Sequence, residues 1–175
     1  MCEQYIQSAT TLLPRDRVWQ LLTDIDNWVT CSDVYASLRW SGFPWQPGSC
    51  VLGQLKYPIT LHFRHVLEEF RPPRLIRYIA HSTEAGFAIS RTIRLEEHNG
   101  GTLITTAAYA VGIPVIDLPG GTMGFQKMLS ERFFPDFANF CDAQAQKLVR
   151  HSPAGLATSK LPGCPDTGTT VCTGS

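Results

Sequence analysis

The sequence predicts an α+β domain in which an antiparallel sheet packs against one long C-terminal helix. Three observations carry this expectation. Segments of alternating polarity follow one another from about residue 49 to residue 111, separated by short turns rich in Gly, Pro and Asn, and sequential strands joined by short turns pair antiparallel. A long stretch of helical character, TMGFQKMLSERFFPDFANFCDAQAQKLVR, closes the folded part. The 175 residues are 43% hydrophobic and 17% charged, which suits one domain with a sizeable core. A helix laid across a curved sheet leaves room for a mostly apolar cavity with a few polar groups.

Taken in order, residues 4–12, QYIQSATTL, read as a first strand. PRDRVWQLLTDIDNW then places Val18, Leu21, Leu22 and Ile25 at helical spacing, with Pro14 suiting the first turn. Asp26-Asn27 is expected to close this helix. CSDVYASLRW reads as a second short helix running into a strand, and the Gly/Pro-dense segment after it gives way to a strand from Ser49 to Tyr57. In ITLHFRHVLEEF, Ile59, Leu61, Phe63 and Leu67 share one phase, with His65 inside it. Pro72-Pro73 marks a turn. LIRYIAHS is the next strand, with Ile76, Tyr78 and Ala80 expected inward; the opposite phase, Leu75, Arg77, Ile79 and His81, stays open.

GFAISRTIRLEE alternates again. Phe87, Ile89, Ile93 and Leu95 occupy the apolar phase, and Arg91 falls in the middle of it. HNGG is a strong hairpin turn. The return strand, TLITTAAYAV, has an ambiguous phase, for which Leu103, Thr105, Ala107, Tyr109 and Val111 are taken as the inner face. GIPVIDLPGG reads as a loop. In the long helix Phe137, Cys141, Gln144, Ala145, Leu148 and Val149 form an apolar stripe, and Pro135 should kink the helix or restart it. Residues 1–151 thus read as one domain, and 152–175, rich in Gly, Pro, Ser and Thr without periodicity, as a disordered tail.

Fifteen basic and fifteen acidic residues give a formal net charge of zero, with no basic stripe for nucleic acid. The N-terminus lacks a signal-peptide pattern, and no apolar run approaches the ~20 residues of a membrane-spanning helix. A cytoplasmic location without membrane insertion is expected. Cysteines at 2, 31, 50, 141, 164 and 172 show no Cys-x-x-Cys spacing and read as free thiols. Oligomeric state is left open.

The pattern resembles the START-like, Bet v1-like helix-grip superfamily, and within it the polyketide cyclase/dehydrase group. The resemblance rests on LPRDRVWQLLTDIDNWVTCSD, PGSCVLGQL, HVLEEFRPPRLIRYI, RTIRLEEHNGGTLITTAAYAVG and the C-terminal helix, covering about residues 4–150. It implies a curved sheet wrapped around a long helix and a deep hydrophobic cavity closed by that helix. Members of the superfamily include polyketide aromatase/cyclases, lipid and sterol carriers, hormone receptors and chaperone activators. They share no catalytic motif that carries over, so the chemistry must be argued from local residues.

A nucleophile elbow, a P-loop and a dinucleotide fingerprint are all absent from the sequence. His62 and His65 point to opposite faces of one strand, so neither a metal nor a cofactor is expected. Arg91 is the sharpest candidate. It is satisfied either by a buried ion pair with a carboxylate such as Glu68, by a bulge that flips its phase, or by a cavity in which its planar fork holds a ligand oxygen. His65 reads either as a core histidine or as a base that removes an acidic proton. Tyr78 or Tyr109 would donate a proton. Trp28, Phe63, Phe87, Ile89 and Phe125 would wall the ligand, with Asp117 at the cavity mouth; for each, plain core or loop packing is the competing reading. Together these point to a cofactor-independent polyketide cyclase that folds a poly-β-keto chain and directs aldol closure or lactonisation, with a polyketide synthase as possible partner. The competing expectation is a binding or transport protein for a small apolar metabolite.

Overall fold

The computed structural model describes residues 4–82, 84–111 and 120–151. The elements run β1 (Gln4–Thr11), α1 (Arg15–Thr23), α2 (Asp26–Cys31), β2 (Tyr35–Ser41), β3 (Cys50–Leu55), β4 (Leu61–Arg71), β5 (Leu75–Ser82), β6 (Phe87–His98), β7 (Gly101–Val111) and α3 (Gly121–His151). The strands form one seven-stranded antiparallel sheet in the order β1-β7-β6-β5-β4-β3-β2, curved around α3. Asp117 and the tail from residue 152 lie outside the described residues, as do Cys2, Cys164 and Cys172. Cys31, Cys50 and Cys141 are free thiols.

The inner faces of three strands follow their alternation. Leu61, Phe63, His65 and Leu67 on β4, Ile76, Tyr78 and Ala80 on β5, and Phe87, Ile89, Arg91, Ile93 and Leu95 on β6 are all buried. The β6–β7 hairpin closes with Asn99 at φ 48° and Gly100 at φ 80°, the two positive angles that a type I′ turn requires.

That turn also decides the face of β7, and it overturns the expected phase. His98 pairs with Gly101, so Leu95 falls opposite Ile104 and Arg91 opposite Ala108. Paired residues share a face, so Thr102, Ile104, Thr106 and Ala108 point inward and are buried. Tyr109 and Val111 point outward, 38% and 39% exposed. Tyr109 is therefore removed from the candidate site.

Two helix expectations also change. The helix after Pro14 does not run on to Asp26-Asn27: Asp24 turns extended at φ −93°, ψ 101°, and Asp26 begins α2. The Trp28 indole N–H donates to the Leu22 carbonyl at 2.8 Å and ties the two helices together. α3 runs as one helix through Pro135, so the proline does not restart it, although Pro135 has no N–H to return to the Glu131 carbonyl. Its buried stripe is Phe125, Leu129, Phe133, Phe134, Phe137, Ala138 and Cys141, with each large side chain worth about 1.5–3 kcal/mol of burial. Leu148, expected on the stripe, is 48% exposed and borders a groove with Leu13 and Leu21.

Polar clips fix α3 against the rest. Ser32 donates to Asp136 at 2.7 Å, Arg132 pairs with Asp33 at 2.8 Å, and Asp142 accepts from Thr11 Oγ1 at 2.6 Å and from the Leu12 N–H at 2.8 Å. Among the described residues no helix is long and apolar enough to cross a membrane.

Candidate functional site

The phase of β6 delivers Arg91 to the interior, where it is 6% exposed. Its charge meets no carboxylate: among the described residues it makes no ion pair, and Glu68 lies exposed on the outer side of β4. Instead Nη1 donates to Thr106 Oγ1 at 3.2 Å, and Nη2 donates to Ser130 Oγ at 2.9 Å and to Gln126 Oε1. The Phe134 ring lies 5.5 Å from the guanidinium carbon. These bonds use three of the five guanidinium N–H donors. A buried cation without a counter-charge is costly, and here neutral acceptors and an aromatic face hold it in place.

The cation borders an internal space. Tyr35, Phe63, His65, Tyr78, Phe87 and Gln126 line it together with Arg91, and the open volume is about 30 Å³, on the scale of one or two waters. The cavity is thus smaller and more polar than the resemblance implied, because aromatic side chains occupy most of the room between sheet and helix. Strand register assembles its polar corner. Tyr78 sits directly opposite Arg91 across the β5–β6 pair, and the His65 and Tyr78 rings stack at 4.3 Å with 21° between planes. Tyr35 approaches His65 edge-on at 6.5 Å. Among the described residues nothing hydrogen-bonds the His65 ring or the Tyr35 and Tyr78 hydroxyls.

Burial sets the protonation of these groups. It drives the His65 pKa down from 6.5 to about 3, with the Arg91 and His81 charges adding to the effect, so the imidazole is neutral at pH 7. Burial pushes both phenols upward, against the opposing pull of Arg91, so Tyr35 and Tyr78 remain proton donors. One fixed cation, one neutral imidazole and two protonated phenols therefore share a corner. They can hold an enol or carbonyl oxygen and exchange a proton with it.

Several proposed residues fall elsewhere. Phe63 and Phe87 line the space, but Ile89 and Phe125 are fully buried core, Phe125 packing on Phe87 at 5.7 Å. Trp28 does not line this space, and its N–H is committed to Leu22. Gln126 and Ser130 were not among the candidates, and Tyr35 ranked below Tyr78 and Tyr109. Tyr35 opens a strand of mixed phase, and Gln126 and Ser130 lie four apart on α3, so the signal for them was the i, i+4 pairing of polar residues inside an otherwise apolar helical stripe. Among the described residues no cluster could hold a metal ion.

No protein-family model matches the chain, and no curated protein does. Solved structures match in fold. Ara h 8.0201 superposes with a TM-score of 0.66 at 14% identity, covering 82% of this chain and 99% of its own. Protein CV1439 from Chromobacterium violaceum gives 0.63 at 12% identity, covering 79% and 97%. Protein Ms6760 from Mycobacterium smegmatis gives 0.58 at 15% identity, covering 83% and 92%. The chain has the Bet v1-like helix-grip fold. At these identities the likeness speaks for the fold alone.

Proposed function

We propose that the chain is a cofactor-independent cyclase for a poly-β-keto or related enolisable ligand, bound between the sheet and α3. The observation that supports this reading is that Arg91, without an ion pair among the described residues, lines one buried space with His65, Tyr35 and Tyr78. Much of the reactivity belongs to such a substrate, whose methylene protons are acidic and whose carbonyls are electrophilic. Arg91 holds the enolate oxygen, through an N–H that has no acceptor among the described residues or in exchange for its bonds to Gln126 and Ser130. Neutral His65 takes a proton from the methylene between two carbonyls. The resulting carbanion attacks a distal carbonyl carbon, and the oxygen of that carbonyl takes a proton from Tyr78 or Tyr35, which protonated His65 restores; the new hydroxyl then leaves as water with the remaining hydrogen of the former methylene, forming a C=C bond. If an enol oxygen attacks the thioester carbonyl instead, its proton passes to His65, the C–S bond breaks, the thiolate leaves with that proton as the thiol, and the product is a lactone. Positioning supplies several kcal/mol, up to about 7–11 in the best intramolecular cases, and the acid–base pair on the order of 10²–10⁴-fold. A polyketide synthase in the cytoplasm would supply the chain.

The test is incubation with a short poly-β-keto thioester. Wild-type protein should change both the rate and the product ratio relative to buffer. Arg91→Met should lower the rate by about 10²–10³-fold, and His65→Phe by about 10²-fold or more. An unchanged rate and product ratio with and without protein would sink the cyclase reading. One observation favours a second reading, non-catalytic binding of a small metabolite: a His65 held near pKa 3 is a weak base. That reading expects Arg91→Met to weaken ligand binding with no turnover in either protein.

A further inference from the structure

The His65–Tyr78 pair borders a second internal space. On its far side Ile25, Trp28, Trp40, Trp45 and Val51 help enclose about 20 Å³. The linings of the two spaces share two residues, His65 and Tyr78. The far chamber is apolar and firmly built. Trp45 holds a left-handed backbone at φ 57°, rare for a bulky residue, and its indole N–H donates to the Thr23 carbonyl at 2.8 Å. Its ring stacks on Phe70 at 5.1 Å and meets the edge of Trp40 at 4.8 Å. The N–H groups of Trp28 and Trp45 are both spent on backbone carbonyls, so these rings offer faces alone.

We infer that the stacked His65 and Tyr78 rings are a movable partition, and that the ligand spans both spaces, with an enolic oxygen head against Arg91 and a flat aromatic tail among Trp28, Trp40 and Trp45. The inference rests on the reading of the Arg91 space as the site of the ligand head. Neither space alone admits more than one or two waters, so an organic ligand must displace part of the wall. Among the described residues no hydrogen bond pins either ring of the partition, and turning them breaks packing contacts but no hydrogen bond among those residues. The polarity is divided accordingly: guanidinium, amide and phenols on one side, indole faces and aliphatic carbon on the other.

The probes are acetylacetone, which is all head, and 1-(2-naphthyl)butane-1,3-dione, which adds a flat tail. Binding to the full chain is read by calorimetry and by quenching of tryptophan emission. The naphthyl probe should bind at least tenfold more tightly than acetylacetone. Ile25→Phe, which fills the far chamber, should abolish that preference and leave acetylacetone affinity within twofold. Trp45→Leu, which removes one ring face, should reduce the preference at least threefold, and it serves if Ile25→Phe does not fold. No naphthyl preference in the wild type, or a preference untouched in a folded variant, overturns the partition. Cyclisation without a naphthyl preference removes this inference and leaves the cyclase reading standing; the preference without cyclisation does the reverse.

Discussion

At the scale of single residues, His65 makes the sharpest claim about solution behaviour. In the unfolded chain it titrates near 6.5, and in the folded chain near 3. Between these values the unfolded chain binds a proton that the folded chain refuses. The stabilisation is therefore complete above about pH 6.5 and drains away as the pH falls toward 3. From pH 7 to pH 5 this amounts to about 2 kcal/mol. Urea unfolding at the two pH values should show that loss in the wild type and a markedly smaller one in His65→Phe, whose ring fills the same aromatic stack. Equal losses in both proteins would mean that His65 is not buried as described. His81, lowered mainly by its own partial burial, contributes in the same direction in both proteins and cancels in the comparison. The inward placement of Arg91 and His65 was legible in the sequence, because a charge or an imidazole in an apolar phase stands out against alternation. Its partners were not. Periodicity says which face a residue takes but not what stands across from it, and Gln126 and Ser130 come from a helix thirty-odd residues away.

At the scale of elements, the β3–β4 pair shows how an absent side chain shapes the site. Gly53 pairs with Phe63, and a Cβ on Gly53 would stand 2.5 Å from Phe63 Cζ and 2.6 Å from Leu38 Cδ2. The bare backbone lets the Phe63 ring lie across β3 and keeps it from crowding the Arg91 space. Gly53→Val should push that ring toward Arg91. Overpacking of this kind costs about 1–3 kcal/mol, measurable by urea unfolding, and ligand affinity should fall more than tenfold. Retained affinity in a folded variant would show that Phe63 does not border the occupied site. The β7 strand gives the complementary lesson about legibility. Its outward residues, Leu103, Thr105, Ala107, Tyr109 and Val111, are as apolar as its inward ones, Thr102, Ile104, Thr106 and Ala108, so polarity carries no phase. The two-residue Asn-Gly turn does carry it: with that loop length fixed, Leu95 must face Ile104. The information was present in the turn, not in the strand.

For the whole molecule, the question is how α3 stays seated while the space beneath it opens to a ligand. The helix is held by polar contacts of two kinds. Gln126 and Ser130 reach down to Arg91 inside the site, whereas Asp142 clips the far end of the helix to the end of β1, through Thr11 Oγ1 and the Leu12 N–H. A ligand oxygen arriving at Arg91 competes with the first kind and leaves the second intact. The outer clip can therefore keep the helix docked while the inner contacts are exchanged. Asp142→Ala tests this division. It leaves Thr11 and the Leu12 N–H without their acceptor, and loss of charged hydrogen bonds costs about 1.5–3 kcal/mol, so the unfolding midpoint in urea should drop accordingly. Below that midpoint, affinity for acetylacetone should stay within about twofold, because nothing in the Arg91 space has changed. In Gln126→Ala the balance should reverse: ligand affinity shifts by more than the stability does, because the amide touches the cation itself. If Asp142→Ala changed ligand affinity as strongly as Gln126→Ala, the two ends of α3 would be acting as one unit, and the site would open by movement of the whole helix instead of by exchange of its inner contacts.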